Sequence, residues 1–147
     1  MNIERLEYFA DVMQNFDRCD MGNYQNGETK VNNIESFHAC GNTACFAGRV
    51  AIDPKFQSEG GVCKNGIPVL NAFYFGHNAI AVYFDIRPSL AEGLVYGDLN
   101  IIEDDERNEF ENEEIETYSC FYNKPWNEVK GKDVANKLRQ IISGEIA

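Results

Sequence analysis

His38, Cys40 and Cys45 fall close together in the stretch "HACGNTACFAGRV", and Cys63 follows in a glycine-rich stretch. Imidazole and thiolate are the usual soft ligands of zinc, which takes four of them tetrahedrally. The order His-x-Cys-x4-Cys, with Cys63 as a fourth ligand, is one way to hold a metal. The paired knuckles that mark structural zinc sites are absent. A second chemistry is nucleophilic. Cys45 is expected near a helix start, where the positive end of the dipole favours a thiolate, and His38 or His77 could act as its base. Its neighbours Ala44, Phe46 and Ala47 place it instead toward a core.

A third reading is packing. Ala44 and Gly48 are four apart, as are Ala47 and Ala51, and small residues at that spacing let a second helix come close. A free cysteine behaves as a small buried apolar residue, and Gly41 permits a sharp entry turn. This reading accounts for every residue of the stretch except His38. No Walker loop, Rossmann fingerprint, Gly-x-Ser-x-Gly elbow or His-Glu-x-x-His occurs. No catalytic residue, metal ligand or cofactor is therefore assigned, and an enzyme is the weaker expectation.

The elements that would position these residues follow from periodicity. Residues 2–16 carry Ile3, Leu6, Phe9, Val12, Met13 and Phe16 as one apolar stripe, which predicts an amphipathic helix. Residues 22–37 are polar and rich in Asn and Gly, and read as a loop or weak hairpin with a turn at Asn26-Gly27. A helix is expected to start at Asn42 or Thr43, capped by either side chain, and to stop before Asp53-Pro54. A hairpin is expected around Lys64-Asn65-Gly66.

"NAFYFGHNAIAVYFDI" and "RPSLAEGLVYG" read as two helices. The second should open on a capping box of Ser89 and Glu92 and stop at Gly97. The aromatic cluster is most simply core; a stacked small ligand or nucleotide with His77 and Tyr83 at the rim is the alternative. "TYSCFYNKPW" is β-prone, with "LNII" as a candidate partner strand. The last helix places Val134, Leu138, Ile141 and Ile142 on one face and ends at Ser143-Gly144. The expected fold is mainly α (α+β): one compact domain spanning residues 1–147, with about five helices and short β elements in the connections.

With 13 basic and 24 acidic residues the formal charge is −11. Such a surface repels phosphates and anionic lipid, so direct binding to nucleic acid or membrane is disfavoured and a basic protein partner is favoured. No apolar run approaches the ~20 residues of a membrane span, and the first residues lack a signal-peptide core. Five cysteines, an odd number, read as free thiols of a reducing compartment. A cytoplasmic location is expected.

The acidic bias is read as common to the whole chain, with residues 103–116, nine acids and one Arg, as its densest run. A solvated loop is the simpler reading of such a run. The functional one is a docking surface made of Asp104, Asp105, Glu106, Glu109, Glu111, Glu113, Glu114 and Glu116, in which carboxylates stand where phosphates would on DNA. The run lacks the sixth-position glycine of a calcium loop.

The residues Leu6, Asp20-Met21, Cys40-Gly41, Thr43-Ala44-Cys45, Ala47-Gly48, Tyr83-Phe84 and Val134-Ala135 carry a resemblance. The chain resembles a family of small proteins of unknown function common in tailed phages, with a Cys-Gly-Thr-x-Ala-Cys-x-Ala-Gly motif. Arg49 stands where that family often has Trp, and Asn42 where it usually has Thr. The run 103–116 looks like an insertion. The resemblance implies a phage origin and a shared structural scaffold. With the acidity, it leads to an accessory protein that binds and inhibits a host protein. The alternatives are a protein sequestering a small ligand and a metal- or thiol-dependent enzyme.

Overall fold

The computed structural model describes residues 1–97 and 118–146. Helix α1 (Ile3–Gln14) starts where the Asn2 side chain accepts from the Arg5 amide at 3.1 Å, and it buries Leu6, Phe9, Ala10 and Met13. Ile3, the first residue of the expected stripe, is exposed instead. The face of α1 meets helix α7 (Gly131–Ser143), which buries Val134, Ala135, Leu138 and Ile141 and ends on left-handed Gly144. Two amphipathic helices thus cover one another's apolar stripes, which is the main source of helix stability in a domain this size.

Between them lies a mixed centre. Helix α2 (Ile34–Cys40) is followed by α3 (Phe46–Ile52) and the short α4 (Pro54–Ser58). Strands β1 (Gly61–Lys64), β2 (Ile67–Leu70) and β3 (Tyr74–Phe75) form an antiparallel sheet in that order. The β1–β2 hairpin turns on Asn65 and Gly66, both with positive φ (54° and 84°), the geometry of a two-residue Asn-Gly turn. Helices α5 (His77–Phe84) and α6 (Pro88–Tyr96) pack on each other, and α5 packs on the sheet. Strands β4 (Tyr118–Ser119) and β5 (Lys124–Pro125) pair within the aromatic segment itself, followed by a 3₁₀ turn at Trp126–Glu128. The proposed partner "LNII" lies outside the described residues.

The molecule is the expected mainly helical α+β domain, with seven α-helices among the described residues. The two beyond the expected five are α2 and α4, each short. α2 begins within the last four residues of the segment read as a loop, held by Asn33 at its start, which accepts from the Ser36 amide, and by left-handed Gly41 at its end. α3 starts later than expected. Its N-cap is Cys45, with no side-chain cap bond. Asn42 and Thr43 do not cap it; hydrogen bonds from the Asn42 amide and the Thr43 hydroxyl tie their side chains to other chain segments. The Asn42 amide donates to Gln25 Oε1 (2.7 Å) and the Thr29 carbonyl (2.9 Å), and the Thr43 backbone pairs with Asn26. The Ser89–Glu92 box is also absent: α6 opens on Arg87 without a side-chain cap, and Glu92 faces His77 instead.

The aromatic cluster is core only in part: Tyr83 and Phe84 are buried, whereas Phe73, Tyr74 and Phe75, expected in a helix, lie in a turn and strand β3 and are exposed. Phe84 meets Phe9 edge-on at 5.5 Å and stacks with Phe46 at 5.8 Å, and Phe56 meets Tyr83 at 5.0 Å. All five rings are almost fully buried. Phe and Tyr rings bury 150–250 Å² each, so a cluster of this kind dominates the folding energy of a small domain.

Candidate functional site

The cysteine stretch is a joint between chain segments. Residues 43–45 run extended between two neighbours: Ala44 exchanges backbone hydrogen bonds with Arg18 and Asp20, Thr43 with Asn26, and the Cys45 amide donates to the Asn23 carbonyl. The small-residue spacing does permit a close approach, but the approaching element is not a helix. A Cβ on Gly48 would overlap the carbonyl oxygen of Tyr24, a loop residue.

His38, Cys40, Cys45 and Cys63 are not brought together. Among the described residues no three His, Cys, Asp or Glu side chains are grouped to hold a metal ion. Burial pushes the Cys45 thiol up to about 11; the Gly48 and Ala47 amides at the start of α3 pull it down and are outweighed. The helix-start argument for a thiolate therefore fails on desolvation. The expected outcome of alkylation at neutral pH is rapid modification of exposed Cys40 and protection of Cys45 until the chain unfolds, read peptide by peptide by mass spectrometry. Labelling of Cys45 at the rate of Cys40 would contradict its burial.

His77 and Tyr83 do not share a rim. His77 lies 3.3 Å from Glu92 and edge-on to Tyr96, whereas Tyr83 is in the core with its hydroxyl donating to Glu59 Oε1 at 2.6 Å. The expected rim of His77 and Tyr83 is therefore not formed.

A groove forms elsewhere. One flank of α1 presents Tyr8, Asp11 and Val12, three and four apart, and Asn15 and Phe16 follow its end. His38 from α2, Arg49 from α3 and Asp17 complete the lining, and the space measures about 470 Å³. Its fixed point is Asp53, only 1% exposed. The Asp53 carboxylate accepts from the Tyr8 hydroxyl (3.0 Å), the Lys55 amide (2.8 Å) and Arg49 Nη1 (2.9 Å). A buried carboxylate is tolerated when it is paired with a cation and both its oxygens are hydrogen-bonded this way. Arg49 also lies 5.7 Å from the centre of the Phe16 ring. Burial, then the Asp53 hydrogen bond and charge, hold the Tyr8 phenol above its ordinary pKa, so it stays a donor.

His38, unexplained by packing, thus has a place on the groove wall. Arg49 and Asp53 were not foreseen as site residues. Their one signal was an Arg alone in an apolar, small-residue helix with an acid four residues on.

The eight acids Asp104, Asp105, Glu106, Glu109, Glu111, Glu113, Glu114 and Glu116 all lie outside the described residues. The distribution of charge is nevertheless fixed by the sequence, and it corrects the reading of a bias shared by the whole chain. Residues 98–117 hold ten acids and one Arg; the remaining 12 basic residues (13 − 1) meet 14 acids (24 − 10), a balance of −2. No helix among the described residues is long and apolar enough to cross a membrane.

Fold and groove together define a small α+β domain with a charged surface cleft. Comparison with family models, with curated proteins and with solved structures finds no match to this chain.

Proposed function

We propose that this chain is an acidic accessory protein, of the tailed-phage kind its cysteine motif resembles, that binds and inhibits a basic host protein in the host cytoplasm. The observation that carries the reading is the uneven charge: a domain close to neutral bears a single segment of concentrated carboxylates. A charge run as dense as this raises the rate of encounter with a basic surface and rejects acidic partners. A nucleic-acid-binding protein fits best, because carboxylates can occupy the places where its lysines and arginines meet phosphates.

Pull-down from host lysate tests it, with the native chain beside a variant in which the eight acids become Asn or Gln. A partner captured by the native chain should be lost with the variant. Capture should also weaken as salt shortens the screening length below its physiological ~8 Å. Equal capture by both chains would remove the acidic segment from the interface.

A further inference from the structure

The groove beside α1 holds a cation whose donors are only partly used. Arg49 is 12% exposed and makes one hydrogen bond, from Nη1 to Asp53. Among the described residues, Asn42 Oδ1 is the sole buried side-chain nitrogen or oxygen that lacks a partner. The Arg49 Nε and Nη2 atoms, which have none, are therefore not sealed off, and the groove is the space that Arg49 lines. This edge of a guanidinium receives a carboxylate through two parallel N–H···O bonds. Asp53 behind and Phe16 beside it hold the fork in place, so little side-chain freedom is lost when a ligand arrives.

The other lining groups narrow the ligand. Val12 and Phe16 supply an apolar floor. Asp11 is engaged with Arg139 at 3.5 Å, while Asp17 is exposed and makes no hydrogen bond or ion pair with the described residues. Two carboxylates penalise a dianion such as phosphate, and one of them is open to a cation. The space of about 470 Å³ is in the range of small-molecule sites.

We infer that this groove binds a free apolar α-amino acid. Its carboxylate sits on the Nε–Nη2 edge of Arg49, its ammonium toward Asp17, and its side chain on Val12 and Phe16. The site is separate from the acidic segment and independent of what that segment binds.

Titration of the isotope-labelled full chain, followed by amide chemical shifts, tests the assignment. The probes are leucine, leucinamide, N-acetylleucine and inorganic phosphate. Leucine is expected to give saturable shifts confined to residues 8–17, 38 and 49, with a dissociation constant on the order of 1 mM. Leucinamide, without the carboxylate, and N-acetylleucine, without the ammonium, should each bind about tenfold more weakly. Asp17→Asn, at an exposed position, should weaken leucine several-fold and leave N-acetylleucine unchanged. Arg49→Lys, which keeps the charge opposite Asp53 but loses the fork, should weaken both leucine and N-acetylleucine. No saturable shift with leucine overturns the inference, as does equal binding of leucinamide or tighter binding of phosphate.

Discussion

Gly48→Ala is expected to cost about 3 kcal/mol of stability, the upper end for an overpacked position. The added Cβ would overlap the Tyr24 carbonyl oxygen, and it would also crowd Ala44 Cβ at 3.1 Å. A flexible side chain could move aside; a backbone carbonyl can do so only by shifting its segment. That segment is tied down, since the Asn23 carbonyl receives the Cys45 amide and the Tyr24 hydroxyl meets that of Tyr96 at 2.5 Å. Gly41 provides the contrast within the same motif. It has φ of 70° with nothing near a new Cβ, so Gly41→Asn, which tolerates the left-handed region, should cost less than about 1 kcal/mol. Denaturant titration of both variants reads the difference as a shift in midpoint at unchanged slope. A Gly48→Ala midpoint equal to that of Gly41→Asn would mean that Tyr24 does not lie against α3.

Asp53→Ala is expected to cost about 3–5 kcal/mol, the range for breaking a buried ion pair. The substitution leaves the Arg49 guanidinium without its counter-charge, removes the cap of α4 and takes away the acceptor of Tyr8. Arg49→Met alone should also destabilise, because it strands a carboxylate that is almost fully buried. With both changes the stranded charge disappears. The double variant should therefore be more stable than the sum of the single losses predicts, by at least about 1 kcal/mol. Strict additivity in that cycle would show that Arg49 and Asp53 do not act as a pair, and would remove the support on which the groove's open guanidinium edge depends.

Elements whose cause is local are legible along the chain. α1 and α7 follow from apolar stripes at helical spacing, the β1–β2 hairpin from Asn65-Gly66, the end of α3 from Asp53-Pro54, and the end of α6 from Gly97. Where the charge lies is legible too, since no folding is needed to see that residues 98–117 carry most of it. α2 had legible end signals in Asn33 and Gly41, but with Phe37 as its one buried residue it shows no apolar period.

Other features were decided only by the tertiary structure. Asn42 and Thr43 look like caps of α3 until Gln25, Thr29 and Asp20 take their side-chain hydrogen bonds. The small residues of α3 announce a close approach without saying that a loop carbonyl makes it. Cys45 at a helix start reads as an activated thiol until burial pushes it up to about 11. The groove needs residues from α1, α2 and α3 brought around one space before Tyr8, His38 and Arg49 can line it. The physical reason is the same in each case. A backbone turn or an apolar stripe is set by neighbours along the chain, whereas the partner of a polar group and the solvent around a thiol are set by segments that only folding brings near.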